Sequence, residues 1–220
     1  KKKLFKNKEH VPDKFKEDEI ALFGAGLQCQ VVLDMVQTEN LNLKINAIID
    51  SEPEKDKIDN IHVYNKLSLD LLFKKGLRRI HICIGNGIVK SQIANDLKSR
   101  GFNIVSIIAP SATISKTAHL DDGVFIGSGV YIGRDVKICE LSQINHLVSI
   151  AHNCVVGAGS FFADGCRVGG NVNFGEHVNL GIGVVVNRDI NIGKEASVPS
   201  GAIIIKDLEE GNFLKKIEKL

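Results

Sequence analysis

Residues 114–203 decide the fold, and they read as fifteen hexads: ISKTAH LDDGVF IGSGVY IGRDVK ICELSQ INHLVS IAHNCV VGAGSF FADGCR VGGNVN FGEHVN LGIGVV VNRDIN IGKEAS VPSGAI. Each hexad opens on Leu, Ile, Val or Phe, and Ile204 follows as the sixteenth such residue. In a chain with 44% hydrophobic residues, chance would give this run only about two times in a million. The period of six is therefore a structural repeat.

The other positions of the hexad indicate a short strand followed by a turn. The residue after the aliphatic is often glycine, and the fourth residue after it is usually small or branched. The glycines are Gly127, Gly133, Gly157, Gly169, Gly175, Gly181 and Gly193. Glycine takes the positive φ that a tight corner needs, so we expect the corners at these positions. Three hexads per triangular coil predict a parallel β-helix of about five coils over residues 111–206.

Residues 20–110 have a different pattern, in which short apolar runs alternate with helix-like stretches. The runs cover residues 20–23, 45–49, 80–84 and 102–108. Such alternation predicts a small parallel α/β domain of the Rossmann-like kind. Residues 1–19 and 207–220 are expected to be tails.

Two predicted strands run into a Gly-x-Gly sequence, Gly24-Ala25-Gly26 and Gly85-Asn86-Gly87. A strand, two glycines and a helix N-terminus suit a phosphate group. Cys29 stands where the dinucleotide fingerprint requires its third glycine, and the segment is too short for a full NAD fold. We therefore favour a nucleotide diphosphate over NAD, with a purely structural turn as the alternative. Asp50 ends a strand beside this site, where it could contact a ribose or base or be a solvated carboxylate.

Composition excludes several classes of function. The formal net charge of +2 gives no reason to expect nucleic acid or a membrane as a partner. No apolar stretch approaches the length of a membrane span, and the charged N-terminus does not resemble a signal peptide. The five cysteines are Cys29, Cys83, Cys139, Cys154 and Cys166. They form no C-x-x-C pair, which favours small buried side chains in a reducing compartment, the cytoplasm.

Among the seven histidines, His146 and His152 are the candidates for chemistry. Both stand two residues after a repeat aliphatic, one hexad apart. Because one hexad turns the chain by a third of a coil, the two rings project from different walls and do not readily share a metal ion. We expect no metal site. His81 lies in a strand and is expected to be structural, and His177 is expected to be solvated.

An α/β domain that leads directly into an uninterrupted hexapeptide helix resembles one family. Residues 20–206 are similar to bacterial sugar acyltransferases of the sialic-acid O-acetyltransferase and UDP-4-amino-sugar N-acetyltransferase type. The resemblance is sharpest over residues 144–157, INHLVSIAHNCVVG, where Asn145 stands seven residues before His152 as in the family. It implies a left-handed helix, acetyl-CoA as donor, His152 as general base, and a homotrimer with sites between neighbouring helices.

The resemblance also implies further site residues. Those expected to bind the nucleotide-sugar substrate are Gly24, Gly26, Leu27, Gln28, Asp50, Ser51 and Gly85. Those expected to bind acetyl-CoA are Asn145, His146, Phe161, Gly170, Ile182 and Ser200. This chain departs from the family at three places. Asn153 replaces the carboxylate that usually follows the histidine, Leu27-Gln28 replaces glycine–histidine, and residues 212–216 replace the Gly-x-Pro-Ala-Lys ending.

The predicted reaction is direct acetyl transfer to an amino group of a nucleotide-linked sugar. His152 would take the proton of the amine, with Asn153 orienting the ring, and backbone N–H groups could stabilise the oxyanion. No serine or cysteine has a local base that indicates a covalent acyl-enzyme. The alternatives are O-acetylation of a sialic-acid-like sugar, which the neutral Asn153 disfavours, and a non-catalytic trimeric scaffold.

Overall fold

The structure is a computed structural model that describes residues 11–212. The chain separates into two compact units. Within residues 11–212, the first contains residues 11–84 together with Ala94–Ile104, and the second contains Gly85–Ile93 and residues 105–212. Residues 1–10 and 213–220 of the predicted tails lie outside the described residues. Within 11–212 no helix combines the length and the apolar character that a membrane crossing requires.

The first unit is built on a six-stranded sheet in the order β3-β4-β2-β1-β5-β6. The strands are β1 (Glu19–Phe23), β2 (Lys44–Asp50), β3 (Lys57–Ile58), β4 (Ile61–Asn65), β5 (Arg79–Ile82) and β6 (Asn103–Ile104). The helices of the α/β region are α1 (Leu27–Thr38), a 3₁₀ turn (Lys66–Ser68), α2 (Leu69–Lys74) and α3 (Gly87–Ser99). All pairings are parallel except β3 with β4. The predicted parallel α/β domain is confirmed, whereas β3, β4 and α2 were not predicted from the sequence pattern.

Burial explains why these segments form the elements they do. All five residues of β1 are buried, as expected for a central strand covered on both faces. The buried residues of helix α1 are Cys29, Val32, Leu33 and Met35. Val32 and Leu33 follow Cys29 by three and four residues and Met35 follows Val32 by three, so they form one apolar face. The segment before β1 is also part of the unit, because Phe15 is 2% exposed and its N–H bonds the carbonyl of Lys75.

The second unit is a left-handed parallel β-helix. The hexads predicted the β-helix, and the family resemblance implied its hand. Its two-residue strands form three walls. Wall 1 consists of β7 (Ile107–Ile108), β10 (Phe125–Ile126), β13 (Gln143–Ile144), β16 (Phe161–Phe162), β19 (Asn179–Leu180) and β22 (Ser197–Val198). Wall 2 consists of β8 (Thr113–Ile114), β11 (Tyr131–Ile132), β14 (Ser149–Ile150), β17 (Arg167–Val168), β20 (Val185–Val186) and β23 (Ile203–Ile204). Wall 3 consists of β9 (His119–Leu120), β12 (Lys137–Ile138), β15 (Val155–Val156), β18 (Asn173–Phe174) and β21 (Asn191–Ile192).

Each strand pairs with the equivalent strand of the next coil, so Ile126 aligns with Ile144 and Ile144 with Phe162. The repeat aliphatics therefore stack in columns inside the triangle and form one continuous core. From Ile126 to Ile204 every one of them is buried, and at the N-terminal end Ile114 and Leu120 are partly buried.

The tight corners do not lie where the sequence pattern put them. Positive φ occurs three residues after the aliphatic, not one. These positions are Gly123, Gly129, Asp135, Leu141, Leu147, Asn153, Gly159, Gly165, Asn171, His177, Gly183, Asp189, Glu195 and Gly201. Glycine, asparagine and aspartate tolerate this left-handed conformation, whereas a leucine or histidine there is uncommon and must be held by its surroundings.

The glycines directly after the aliphatics serve close packing between coils instead. None of them has a positive φ. A Cβ on Gly127 would lie 2.8 Å from the backbone nitrogen of His146, and one on Gly175 would lie 2.5 Å from that of Lys194. The absence of a side chain therefore lets successive turns approach each other, so the prediction that these glycines form the corners is wrong.

The β-helix also extends beyond the predicted limits of its repeat. The expected strand at 102–108 is two strands, β6 and β7, and the second pairs with β10 as the first rung of wall 1. At the other end, Leu208 bridges to Ile192 and is 8% exposed. The carbonyl of Asn212 accepts the N–H of Ser197. Residues 208–212 thus continue the last coil over walls 3 and 1.

Candidate active site

Three rows of turns join the walls, and we call them corners. Corner A leads from wall 1 to wall 2 and contains residues 145–148 and their equivalents in other coils. Corner B leads from wall 2 to wall 3 and contains 151–154. Corner C leads from wall 3 to wall 1 and contains 157–160. Residues of one corner stack on one another because the coils are in register.

His152 lies exposed on corner B and has its ring held from one side. Its Nδ1 atom is 2.8 Å from Oδ1 of Asn153. Because an amide oxygen only accepts hydrogen bonds, this contact requires the ring proton on Nδ1. Nε2 then keeps its lone pair, so it is the atom that can accept a proton from a substrate.

Asn153 reaches the ring from a left-handed backbone conformation, with φ of 58°. Asparagine adopts this conformation more readily than most residues. Equivalent positions in other coils hold Asp135 and Asp189, so the backbone also accepts a carboxylate here. The neutral amide is therefore a feature of this chain's site rather than a steric requirement of the turn.

Gly170, predicted to contact acetyl-CoA, lies directly against His152. A Cβ built on Gly170 would be 2.6 Å from Cε1 and 2.7 Å from Nε2 of the imidazole. Only a residue without a side chain leaves the ring in its position. This role could not be seen in the sequence, and a direct contact of Gly170 with acetyl-CoA stays a prediction.

His146, on corner A, has the opposite hydrogen bonding. The backbone N–H of Ser128 donates to its Nδ1 at 2.9 Å. Since a backbone N–H cannot accept, Nδ1 carries the lone pair and the proton of the neutral ring is on Nε2. The ring also lies edge-on to Phe125, with centroids 6.2 Å apart. His146 can therefore donate a hydrogen bond to a ligand but is not placed as a base.

Four residues predicted for acetyl-CoA share corner A. Ile182 and Ser200 stack above His146, and the Oγ of Ser200 accepts the N–H of Ile182 at 3.0 Å. The Ile182 side chain is 61% exposed, and Asn145 begins the same corner. Asp164, which the sequence reasoning missed, occupies the same row, and its Oδ1 accepts the N–H of His146 at 3.1 Å. Corner A is thus a continuous strip with both polar and apolar groups.

A cavity of about 260 Å³ opens at corner C. Its lining comprises Gly85, Asn86, Gly87, Ile88, Gly159, Phe161, His177, Val178, Asn179, Glu195 and Ser197. It places Gly85, predicted for the substrate, near Phe161, predicted for acetyl-CoA. A Cβ on Gly85 would lie 3.9 Å from Cε2 of the phenylalanine ring. A Cβ on Gly87 would overlap the carbonyl oxygen of Gly159, so that second glycine of the motif serves packing.

The expectation that His177 is solvated is wrong. The residue is half-buried, and its Nδ1 is a buried atom that finds no hydrogen-bond partner within residues 11–212. A Cβ on Gly159 would lie 2.5 Å from that nitrogen. The close approach of these backbones depends on long-range packing, which left no signal in the sequence around His177.

The first unit holds its own cavity, of about 380 Å³, at the carboxyl ends of β1 and β2. The lining residues are Ala25, Gly26, Leu27, Gln30, Asp50, Glu52, Glu54, Lys55 and Ile58. Ligands of parallel α/β sheets usually bind at this edge. Three of the seven predicted substrate residues line the cavity. Its rim carries three carboxylates and one lysine, a charge that suits a nucleoside better than its phosphates.

Asp50 has a structural role at this cavity. Its Oδ2 accepts the N–H of Ala25 at 2.7 Å, and its Oδ1 accepts the N–H of Glu52 at 2.9 Å. The carboxylate therefore joins the loops that follow β1 and β2. Each oxygen retains a second lone pair, so a ribose hydroxyl can still bind it. Ser51 is exposed beside it but does not line the cavity.

The two glycines of the first Gly-x-Gly differ. Gly24 has φ of +104°, and a Cβ there would lie 2.8 Å from the carbonyl oxygen of Cys83, so the fold itself requires this glycine. Gly26 has no neighbour within 4 Å of its Cβ position and gives α1 no side-chain cap. Because the N–H groups of Cys29 and Gln30 bond the carbonyl of Gly26, the N–H groups of Leu27 and Gln28 are the ones that a ligand can bind at this end of α1. Next to them, Nε2 of Gln28 is buried and has no partner within residues 11–212.

Cys154 and Cys166 are not placed as nucleophiles. Cys154 and Cys166 point into the β-helix and donate to the carbonyls of Gly169 and Gly181 at 3.1 and 3.2 Å. Burial raises the pKa of both thiols, that of Cys166 to about 11, which keeps them protonated near neutral pH. In the described part of the chain, no group of three or more potential ligands is arranged to hold a metal ion.

Comparisons with known proteins agree with this geometry. A family model described as the PglD N-terminal domain matches residues 19–97. A GDP-perosamine N-acetyltransferase from Caulobacter crescentus, solved as a histidine-to-alanine variant with CoA and GDP-perosamine, is 27% identical, with a TM-score of 0.84. The match covers 89% of this chain and 92% of that chain. Together with the fold, these matches support a bacterial sugar acyltransferase of the hexapeptide-repeat kind.

Two further structures share the architecture of this acyltransferase. The acetyltransferase domain of PglB from Neisseria gonorrhoeae FA1090, solved with acetyl coenzyme A, is 21% identical with a TM-score of 0.80, covering 89% of this chain and 95% of that one. WeeI from Acinetobacter baumannii AYE is 23% identical with a TM-score of 0.80, covering 88% and 94%. At these identities the likeness concerns the fold.

Proposed function

We propose that this acyltransferase transfers the acetyl group of acetyl-CoA to the amino group of a nucleotide-linked amino sugar. The observation that carries the proposal is the His152 ring, which has its proton fixed toward Asn153 and its free Nε2 over Gly170. The 27% identical relative is a sugar N-acetyltransferase crystallised with CoA and its nucleotide sugar, which supports the same donor and acceptor class.

The chemistry requires one base and one donor of hydrogen bonds. The amine nitrogen forms a bond to the thioester carbon, the carbon–sulfur bond breaks, and His152 Nε2 takes the proton that the amine loses. That proton can then pass to the departing CoA thiolate, which regenerates the neutral imidazole. An attacking amine needs less help from a base than a hydroxyl does, which fits the uncharged Asn153.

The complete site is proposed to form in a homotrimer. Within one protomer the base lies on corner B, whereas most residues proposed for acetyl-CoA lie on corner A, with wall 2 between them. A trimer that sets corner B of one protomer against corner A of the next would unite them. Sedimentation should therefore give a trimer, and a stable monomer at micromolar concentration would contradict the shared site.

The acceptor is proposed to be a UDP-linked 4-amino sugar, and the GDP-perosamine bound to the 27% identical relative makes a GDP-linked amino sugar the alternative. A thiol-release assay with acetyl-CoA against UDP- and GDP-linked amino sugars and free sialic acids tests the proposal. Turnover only with sialic acids would favour O-acetylation. Absence of acetyl-CoA binding at millimolar concentration would favour a scaffold.

The nucleotide cavity has a direct test in Gly26→Val. Because nothing lies within 4 Å of the Cβ position, the fold has room for a side chain there, and the melting temperature should fall only slightly, through the weaker N-cap of α1. Nucleotide-sugar affinity should fall at least about tenfold, with CoA affinity unaffected in calorimetry. Loss of binding of both ligands would mean that the variant misfolds. Unchanged affinity for both would show that the phosphates do not bind at this loop. Gly24→Val is the matched control, since it should instead unfold the domain.

A further inference from the structure

A buried lysine lies at the beginning of a hydrogen-bonded chain that ends on corner A. Lys90, in the first turn of α3, is 2% exposed. Its Nζ lies 3.3 Å from the carbonyl oxygen of Leu141 and 3.3 Å from Oε1 of Gln143. Burial of an ammonium group is unfavourable unless hydrogen bonds compensate for the lost water. The two oxygen atoms must therefore stay within hydrogen-bonding distance of Nζ.

Gln143 carries the chain onward. It lies in β13 and is 1% exposed. Its Nε2 donates to Oδ1 of Asn145 at 2.9 Å. Lys90, Gln143 and Asn145 thus form a row in which every contact joins one donor to one acceptor.

The ammonium group determines the direction of the whole row. An ammonium group can only donate, so Gln143 must turn its oxygen toward Lys90. Its NH₂ group then faces Asn145, and a donor at that place requires the oxygen of Asn145. The orientation of both amides is therefore set by one charge.

Asn145 is left with its NH₂ group for other partners. The residue is partly exposed at the start of corner A, in the coil of His146. Within residues 11–212 the side chain of Asn145 makes one hydrogen bond, the one that its Oδ1 accepts, and its Nδ2 is not among the buried atoms without a partner, so it reaches solvent. The group is therefore open to a ligand on the strip where acetyl-CoA is proposed to bind.

We propose that Lys90 and Gln143 are positioning residues that make Asn145 present an N–H donor to the thioester carbonyl oxygen of acetyl-CoA. The inference rests on the proposed function in placing acetyl-CoA on corner A. A donor fixed in advance stabilises the carbonyl oxygen more strongly as it gains negative charge during attack, so the effect belongs to turnover rather than to binding of CoA.

Gln143→Glu is the deciding variant. A carboxylate keeps the contact with Lys90 but can only accept, so Asn145 must turn its NH₂ inward and present its oxygen to the thioester. We expect kcat to fall about 10²-fold, as for removal of one oxyanion donor. The melting temperature should stay near the wild-type value because the buried ammonium retains its partner.

Two lysine variants are the matched controls. Lys90→Met removes the charge that fixes the row, so both amide orientations become accessible, and kcat should fall only about two- to tenfold while the melting temperature drops. Lys90→Arg keeps a side chain that only donates and should restore kcat. A merely structural role predicts that activity follows stability across the three variants, whereas this proposal predicts that the more stable Gln143→Glu is the less active.

Binding measurements separate this inference from the proposed function. Calorimetry with acetyl-CoA and with CoA should show a preference for acetyl-CoA in the wild type that Gln143→Glu reduces, with CoA affinity changed less than about threefold. If the wild type binds no acetyl-CoA, the proposed function and the inference both fail. If it binds and turns over, but Gln143→Glu keeps wild-type kcat and preference, the inference alone is overturned. If Gln143→Glu does not fold, Asn145→Asp presents only oxygens in the same space and should show the same loss, and wild-type kcat there would overturn the proposal.

Discussion

His152 on corner B and His146 on corner A occupy equivalent places in consecutive hexads, yet they hold their protons on opposite nitrogens. An amide oxygen faces Nδ1 of His152, and a backbone N–H faces Nδ1 of His146. The first ring is left with an acceptor and the second with a donor. The repeat thus supplies the position of a histidine, but the partner of its Nδ1 decides whether it can act as a base.

The strongest test of this contrast is His152→Ala. Loss of a placed general base should reduce kcat by about 10²–10⁴-fold. The ring is exposed on the outer surface, so melting temperature, assembly and CoA affinity should not change. A pH–rate profile of variant and wild type checks the prediction, with the exposed His119→Ala as control. Near-wild-type turnover across the profile would show that His152 is not the base.

Gly170→Ala should break the site without removing the base. The added methyl group would occupy space within 2.7 Å of Nε2, so the imidazole must leave its position. A displacement of this size should lower kcat about 10- to 100-fold. In a double-mutant cycle with His152→Ala the second substitution should cost nothing further. An additional loss in that background would mean that Gly170 acts on the ligand directly.

His146→Ala should affect binding rather than proton transfer. The KM for acetyl-CoA should rise about three- to tenfold through loss of one hydrogen bond, and the free energy of unfolding should fall by about 1–2 kcal/mol because Ser128 loses its acceptor. The pH dependence of kcat should keep its wild-type shape. A shifted profile would assign His146 to the proton transfer and remove the contrast between the two corners.

Asn153→Asp should have the smallest effect of the four substitutions, and it tests how the partner of Nδ1 influences His152. A carboxylate would stabilise the imidazolium form, so the acidic limb of the pH–rate profile should move to higher pH. The rate at neutral pH should change by only a few fold, and hydroxyl acceptors should gain relative to amines. Asp135 and Asp189 show that the turn tolerates the substitution. An unchanged profile would mean that Asn153 orients the ring without influencing its protonation.

The sequence predicted the β-helix because a core column needs an aliphatic at every sixth position, and nothing else in the chain competes with that pattern. It misplaced the corners because glycine has two uses. The left-handed position holds glycine in some coils but Leu141 and His177 in others, so no residue type marks it in the sequence. The glycines after the aliphatics are required instead by the close approach of the next coil. Contacts between residues eighteen positions apart leave no local signal.

The site was predictable only where local spacing carries it. His152 and Asn153 were singled out through the family resemblance, and because they are neighbours in sequence a hydrogen bond between them could be expected. A lysine in a helix is usually exposed, and the burial of Lys90 depends on packing against β13, where Gln143 lies 53 residues further along the chain. Glu52, Glu54 and Lys55 were missed at the cavity of the first unit because they lie in the loop between β2 and β3, where no repeat or motif marks them.

Residues 208–212 affect how readily the end of the β-helix can pair with another copy of the protein. A stack of parallel strands ends in unpaired N–H and C=O groups that can recruit the strands of another molecule. The returning segment covers this edge on walls 3 and 1 through Leu208 and Asn212. On wall 2, β23 is the last strand within residues 11–212, and the charged Lys206 follows it. The terminal coil thereby discourages end-to-end growth into fibres.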